Sequence, residues 1–166
     1  DLHRPARRRQ HVHDHRHAAH RRVNRRAVQA LGPHAHRRAG LAGDGSPRQR
    51  AEATRWLSFV NSDLHPAFRP MFAPARHIGD EAQHDAIKGA ARAMVRGLME
   101  TADRRLADNE WLAGFRSFAD PYFFITLRWA QGTGVDLSGL DNVAAFKARM
   151  ETDTGVQAAL AAEGLS

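Results

Sequence analysis

The chain has 166 residues and a net charge of +7, and this positive charge is confined to its first third. Residues 1–50 contain 13 Arg, 8 His and 3 Asp and no Lys, Glu, Phe, Tyr or Trp, whereas residues 51–166 contain 12 Lys and Arg against 15 Asp and Glu. The lack of cysteine excludes a disulfide framework or a thiol nucleophile within the chain. The longest apolar run, PYFFITL, is far shorter than the ~18 residues of a membrane-spanning helix, and no signal-peptide pattern is visible. We therefore expect a cytoplasmic protein without membrane contact.

The first 42 residues form a low-complexity segment of Arg, His, Ala, Gly, Pro and Val. Because so few large aliphatic side chains cannot offset the entropy lost on ordering, we predict that residues 1–42 are disordered or weakly helical. The composition and the start at Asp1 favour GC-rich DNA translated out of frame, in a fragment or a mistranslated gene. The rival is a tail that binds RNA through its arginines or a metal through closely spaced imidazoles. The imidazoles belong to His11, His13, His15, His17 and His20. We predict no functional metal site.

Residues 43–166 have the pattern of a helical domain that begins in the stretch GDGSPRQ. Ser46 can cap a helix, Pro47 suits the first helical position, and Gln49 completes an S-x-x-Q capping box. We predict a helix from Pro47 to about His65, ended or kinked by Pro66. One face of this helix carries the apolar side chains of Trp56, Phe59, Val60 and Leu64.

A long second helix is predicted from about Asp80 to Leu106. Its apolar face is expected to comprise Ile87, Ala91, Met94, Leu98, Ala102 and Leu106, which recur at helical spacing. Asp141 is predicted to cap a later helix, and Gly164 to close a last short helix that covers roughly residues 156–163. No segment requires a strand, so the sequence predicts an all-α fold.

The central helix of this domain is indicated by a capping box before an almost unbroken apolar run. Ser117 and Asp120 stand at S-x-x-D spacing, so the serine hydroxyl can accept from the amide three residues on, while the carboxylate reaches back to the serine amide. Pro121 falls in the first turn, where a missing N–H costs nothing. The helix, from Phe118 to about Gln131, is apolar on nearly every face and must be buried on all sides. Both box residues are structural, and loss of such a cap costs about 1 kcal/mol.

Polar residues cluster at the end of the first helix, where Asn61, Ser62, Asp63 and His65 lie with Ser58 one turn behind. Considered alone, this cluster is explained by a solvated helix terminus in which the histidine complements the helix dipole. The residues alone therefore favour a structural explanation over a catalytic one.

The combination of motifs from about Gly43 onward resembles the C-terminal helical domain of bacterial beta-class glutathione S-transferases. The motifs are a tryptophan-containing first helix ending in S-D-L-H, then D-R-R-L-A-D and W-L-A-G, then the S-x-x-D box, then L-R-W. The resemblance implies that residues 43–166 form a helical bundle of the glutathione S-transferase C-terminal type. It also implies a homodimer whose substrates are glutathione and a small hydrophobic electrophile, with a role in detoxification and no cofactor.

The resemblance also implies roles for individual residues. His65 would point at the thiol region of glutathione and assist catalysis. The side chains of Ser58, Ser62 and Asp63 would reach the γ-glutamyl end of the glutathione bound by the partner subunit, because a carboxylate suits its ammonium group. The electrophile pocket would be lined by Phe68, Met71 and Trp129, for which core packing is the alternative; for Phe72 we favour core packing.

Two departures from the family pattern affect function. The family often has Lys after the histidine, where this chain has Pro66, and nothing in residues 1–50 resembles the thioredoxin-like domain that supplies the catalytic Cys, Ser or Tyr. Three hypotheses remain. The first is a glutathione transferase for which this chain supplies the helical domain and is inactive by itself. The second is a non-catalytic dimerisation or interaction module, and the third, less favoured, is a basic nucleic-acid-binding protein.

Overall fold

The computed structural model describes residues 40–165, and within that range all regular structure is helical. The predicted all-α fold is therefore confirmed for these residues. The predictions for the Arg/His segment, including its disorder and the histidine tract, concern residues that lie almost wholly outside the described range. The α-helices are α1 (Pro47–Ser58), α2 (His65–Ala67), α3 (Arg69–Phe72), α4 (His84–Leu106), α5 (Ala119–Gly132), α6 (Asp141–Glu151) and α7 (Thr154–Ala162). A π-helical segment, Phe59–Leu64, joins α1 to α2, and 3-10 turns cover Pro74–Arg76 and Glu81–Gln83.

Helix α1 begins where the sequence predicted, but its capping box is only half formed. The Ser46 hydroxyl accepts from the Gln49 amide at 3.2 Å, and Pro47 occupies the first turn. The Gln49 side chain does not return to the cap; it accepts from the Asp44 amide at 2.6 Å, while the Asp44 carboxylate accepts from the Ser46 amide at 2.8 Å. The turn needs Gly43, whose φ is +74° and where an added Cβ would lie 2.0 Å from the Gln49 Oε1. The Gln49 side chain therefore bonds to the loop before the helix and not to the backbone amide of the N-cap residue.

Pro66 does not end the first helix, because the chain widens into the π-helical segment Phe59–Leu64 before it and continues helically through α2. In a regular α-helix the proline ring would clash with the carbonyl of Ser62, and that carbonyl would lose its N–H partner. The wider turn relieves this conflict, and the His65 amide bonds instead to the Val60 carbonyl, five residues back. Within this segment three consecutive polar side chains, Asn61, Ser62 and Asp63, are all exposed.

Helix α5 lies at the centre of the domain, as its apolar sequence predicted. Of its residues before Gln131, only Pro121 is exposed. The core around it is built from large side chains with essentially no exposed surface, contributed by several helices and by the loop before α5. These are Val60, Leu64, Phe68, Val95, Met99, Leu112, Phe123, Phe124, Leu127, Phe146 and Met150.

The predicted apolar face of α4 was partly wrong. Helix α4 does bury Ala91, Ala102 and Leu106, but its core face runs through Val95 and Met99, while Met94 is 60% exposed. Ile87 and Leu98 are only partly buried. The helix carries two adjacent apolar stripes, and periodicity does not say which of them meets the rest of the domain. Packing buries one and leaves the other at the surface.

The cap predicted for α6 was also wrong. Asp141 is the first helical residue and makes no side-chain cap. The orphan amide of Val143 is instead satisfied by the Asp103 carboxylate of α4 at 2.9 Å, and the same carboxylate accepts from the Asn142 side chain at 3.1 Å. A residue about forty positions away thus caps this helix, and no local pattern reveals it.

The last helix, α7, has a clear cap at each end. The Asp153 carboxylate accepts from the amides of Gly155 and Val156 at 2.9 and 3.0 Å. Gly164 adopts a φ of +66°, and the Leu165 amide bonds back to the Leu160 carbonyl at 2.9 Å, which confirms the predicted glycine closure.

The S-x-x-D box before α5 is present, with one change of partner. The Asp120 carboxylate accepts from the Ser117 amide at 2.6 Å, as predicted, and from the Ser117 hydroxyl at 3.0 Å. The hydroxyl in turn accepts from Ala119, two residues on, and not from the amide three residues on. The other oxygen of Asp120 accepts from the Leu112 amide at 3.1 Å, so the carboxylate also fastens the preceding loop. Both box residues are fully buried.

No helix among residues 40–165 combines the length and the apolar character that crossing a membrane requires.

Replacing Asp120 with Ala should destabilise the domain far more than loss of an ordinary cap. Three buried donors would lose their acceptor, at about 1–3 kcal/mol for each one left unsatisfied. We therefore expect the free energy of unfolding in urea to fall by about 3 kcal/mol or more. Asp153→Ala, which removes the cap of α7 and an ion pair with Arg116, is the comparison variant and should cost about 1–2 kcal/mol. Equal losses for the two variants would contradict the central role of Asp120.

Candidate functional site

His65 is a polar side chain that the structure holds firmly beside α5. It lies in α2, directly after the π-helical segment, and is partly buried. Its Nδ1 lies 2.6 Å from the Tyr122 hydroxyl oxygen, and its ring meets the Trp129 ring edge to face with centroids 4.8 Å apart. Both contacts come from α5, so two side chains of that helix fix the position of the imidazole.

The aromatic residues around His65 form one cluster, which we define as His65, Phe68, Phe72, Tyr122 and Trp129. Phe68 has no exposed surface and meets Trp129 edge to face, with ring centroids 5.7 Å apart. Phe72 stacks on Phe68 at 5.9 Å and meets Trp129 at 5.7 Å, yet it is 54% exposed. The prediction of core packing for Phe72 was therefore wrong. Helix α3 is a single turn, and it leaves the Phe72 ring at the protein surface. The cluster presents an aromatic surface beside an imidazole.

Met71, the remaining residue predicted for the electrophile pocket, lies in the same short helix as Phe72. Its side chain is partly buried and packs against the hydrophobic core.

Tyr122 escaped the sequence prediction, and Asn61 was named only as a member of the polar cluster, with no role in the site. The Tyr122 hydroxyl donates to the Asn61 side-chain oxygen at 3.3 Å, in addition to its contact with His65. The residue spacing along the two predicted helices indicates both residues. Tyr122 precedes Trp129 by seven residues and Asn61 precedes His65 by four, so each lies on the same helical face as a residue that the prediction did include.

The electrostatic environment keeps the site neutral near pH 7. Burial, and to a smaller extent the nearby Arg69 cation, lower the pKa of His65 from its usual value near 6.5. Burial raises the pKa of the Tyr122 hydroxyl. A neutral imidazole and a protonated phenol are therefore the states of this pair under ordinary conditions. A neutral imidazole offers one nitrogen that can accept a proton.

Two of the residues predicted to contact glutathione lie on another face of the first helix. Ser62 and Asp63 line a groove of about 520 Å³ between the π-helical segment and α4. Its wall includes the exposed stripe of α4, with Met94 and Leu98. Ser58, the third predicted residue, is exposed on the last turn of α1. The structure therefore separates His65, in the aromatic cluster, from Ser62 and Asp63, in the groove.

The described helices are similar to those of bacterial glutathione S-transferases. Glutathione S-transferase GST-4.5 of Xanthomonas campestris pv. campestris is 48% identical over 128 residues, which are 76% of this chain and 63% of that protein. A solved glutathione S-transferase from Xylella fastidiosa is 48% identical, with a TM-score of 0.74 over 76% of this chain and 62% of that one. No protein-family model matches the chain.

Two further structures extend the comparison. A bacterial beta-class glutathione S-transferase from Sphingomonas chungbukensis is 34% identical, with a TM-score of 0.67 over 84% of this chain and 65% of that one. A sphingomonad glutathione S-transferase in complex with glutathione is 32% identical, with a TM-score of 0.64 over 76% of this chain and 60% of that one.

A helical domain of this kind, with this level of identity, belongs to the glutathione S-transferase family. Its relatives place it with the bacterial, beta-class-like members, as the sequence motifs implied. The chain spans about 60–65% of the length of these relatives.

The lowered pKa of His65 predicts how the free energy of unfolding depends on pH. Because the folded state holds the proton less well than the unfolded state, His65 favours folding fully above its unfolded pKa of about 6.5. That contribution is lost as the pH falls through the lower, folded pKa. Urea unfolding at several values between pH 8 and pH 5 should therefore show a stability that falls less steeply in His65→Gln than in the unmodified chain. Parallel curves for the two proteins would contradict the environment described for His65.

Proposed function

We propose that this chain supplies the helical half of a glutathione transferase, which joins the thiol of glutathione to a small hydrophobic electrophile in detoxification. In this reaction a thiolate attacks the electrophile, and the protein accelerates it by favouring the ionised thiol and by orienting both substrates. Residues 40–165 are helical and contain no thioredoxin-like domain. We therefore propose that they are inactive in conjugation unless such a domain completes the site.

The observation that supports this proposal best is the exposed aromatic surface next to a firmly held histidine. Phe72 and Trp129 offer ring faces and edges to an apolar electrophile, and the buried Phe68 packs against both rings. The thioether of Met71, in the same short helix as Phe72, is proposed as a further contact. Aromatic and thioether side chains suit small hydrophobic ligands of varied shape. His65 lies within the same cluster, where a neutral imidazole can assist ionisation of a thiol.

Three polar side chains near the end of the first helix fit the second part of the proposal, contact with the glutathione of a partner subunit: Ser62 and Asp63, which line the groove, and Ser58, which lies outside it. The exposed Asp63 carboxylate is suited to the γ-glutamyl ammonium, and the hydroxyls of Ser58 and Ser62 can add hydrogen bonds. Because Ser62 and Asp63 lie away from the aromatic cluster, one molecule would use His65 for its own glutathione and these residues for that of its partner. This arrangement needs a homodimer.

A non-catalytic dimerisation module is the second candidate, favoured by the apolar stripe of α4. Met94 is 60% exposed beside Leu98 in the groove, and water contact with such a surface is unfavourable. The nucleic-acid hypothesis depends on the Arg-rich segment outside the described residues, and it stays a prediction, as does the cytoplasmic location.

The electrophile surface is tested by binding of a dinitrophenyl conjugate of glutathione, measured through quenching of tryptophan fluorescence. We expect Phe72→Ala to weaken binding about 5- to 30-fold, because a lost aromatic contact is worth about 1–2 kcal/mol. Trp111→Phe is the control. The ring of Trp111 packs against Phe146, which is not a member of the aromatic cluster. The affinity of this variant should be unchanged. Equal affinities for the unmodified chain and Phe72→Ala would contradict the proposed pocket.

The proposed homodimer is tested by sedimentation velocity over a range of concentrations. Met94→Asp should shift the chain toward monomer, because it places a charge in an apolar interface. Leu165→Asp, at an exposed apolar residue near the end of the chain, is the control and should leave association unchanged. Association that is insensitive to Met94→Asp would place the interface elsewhere.

A further inference from the structure

Three side chains, one each from the π-helical segment, α2 and α5, form a hydrogen-bonded series that ends on the imidazole of His65. The Nδ1 of His65 lies 2.6 Å from the Tyr122 hydroxyl oxygen, which lies 3.3 Å from the side-chain oxygen of Asn61. The rings of His65 and Tyr122 also meet edge to face, with centroids 5.8 Å apart. Among the described residues, no hydrogen-bond partner is found for the other ring nitrogen, Nε2.

The direction of these hydrogen bonds depends on where the Tyr122 proton lies, and the Tyr122 hydroxyl donates to the Asn61 side-chain oxygen. The carbonyl oxygen of Asn61 can only accept, and the Tyr122 hydroxyl has a single proton to give. If that proton goes to Asn61, the tyrosine oxygen can only accept from His65 Nδ1. The Nδ1 then carries the hydrogen of the neutral imidazole, and Nε2 is left with a free lone pair.

We propose that Asn61 and Tyr122 are positioning residues that hold His65 in its Nδ1–H tautomer and so make Nε2 a proton acceptor. Asn61 orients the tyrosine hydroxyl, and the hydroxyl oxygen fixes both the tautomer and the orientation of the ring. Trp129 packs against the same imidazole and limits the alternative ring positions. The tautomer is thus selected by two residues outside α2, one in the π-helical segment and one in α5.

The chemical role of this tautomer rests on the proposed function. When the thiol of glutathione approaches Nε2, the S–H bond breaks and an Nε2–H bond forms, while the electron pair stays on sulfur as the thiolate. The imidazolium keeps its Nδ1–H bond to the Tyr122 oxygen, which stabilises the new charge. The opposite tautomer would present an Nε2–H donor, which can bind a thiolate already formed but cannot take its proton.

The tautomer can be read directly from the imidazole nitrogens of the full chain. The chain would be labelled with ¹⁵N-histidine, and two-bond ¹H–¹⁵N correlation spectra recorded at pH 7.5. The resonances of His65 are those that vanish in His65→Gln. We expect a protonated-type shift for Nδ1 and an unprotonated-type shift for Nε2.

Two variants separate positioning from packing. Tyr122→Phe keeps the ring but removes the hydroxyl, so the tautomer ratio should invert toward Nε2–H, the form that an isolated side chain prefers. Asn61→Ala frees the tyrosine proton to be donated to Nδ1, and should move the ratio in the same direction. Phe72→Leu is the control: it alters the aromatic cluster without touching the series and should leave the tautomer unchanged. Circular dichroism confirms that each variant is folded.

Two results would overturn the proposal: Nε2–H as the main tautomer in the unmodified chain, or an unchanged tautomer in Tyr122→Phe. Adding glutathione to the labelled chain separates this proposal from the proposed function. If the tautomer is as expected but the His65 resonances do not respond to millimolar glutathione, the positioning by Asn61 and Tyr122 stands and the glutathione role of this chain fails. If the tautomer is wrong, the positioning fails whatever glutathione does.

Discussion

The buried carboxylate of Asp120 is the interaction on which the architecture depends. It accepts from Ser117 at the start of α5 and from Leu112 in the loop before it, so one side chain sets both the start of the central helix and the path of the chain that leads to it. Burial raises the pKa of Asp120, whereas the hydrogen bonds from Ser117 and Leu112 oppose this change. The rest of the domain packs around the helix placed in this way. Trp129 and Tyr122 reach His65 only because α5 begins where it does.

The second constraint is Pro66, which prevents a regular α-helix from running through the site. A regular helix through this proline would leave the Ser62 carbonyl without a partner and in steric conflict with the ring, and the chain adopts a π-helical segment instead. The wider turn divides the polar side chains between two surfaces. Asn61 reaches Tyr122 and the aromatic cluster, whereas Ser62 and Asp63 line the groove beside α4. One short stretch of sequence thereby contributes to both surfaces.

Much of the fold was predictable because its signals are local, and the candidate site was predictable only in part. The starts of α1 and α5 and the glycine after α7 depend on groups within a few residues of one another. His65 and Trp129 were singled out through the family resemblance, and the structure brings them into contact. Tyr122 was missed because a tyrosine in a buried helix is expected to pack in the core.

The sequence by itself determined the helical class, the capping box at Ser117 and the family, since each depends on local hydrogen bonding or on the order of motifs. Only the tertiary structure decided which stripe of α4 is buried, because Val95 and Met94 are both apolar and packing alone chooses between them. It alone supplied Asp103 as the cap of α6, across forty residues. The contact of Asn61 and Tyr122 with one another and with the imidazole was decided in the same way, because it requires two helices to meet, and periodicity within one helix carries no information about its neighbour.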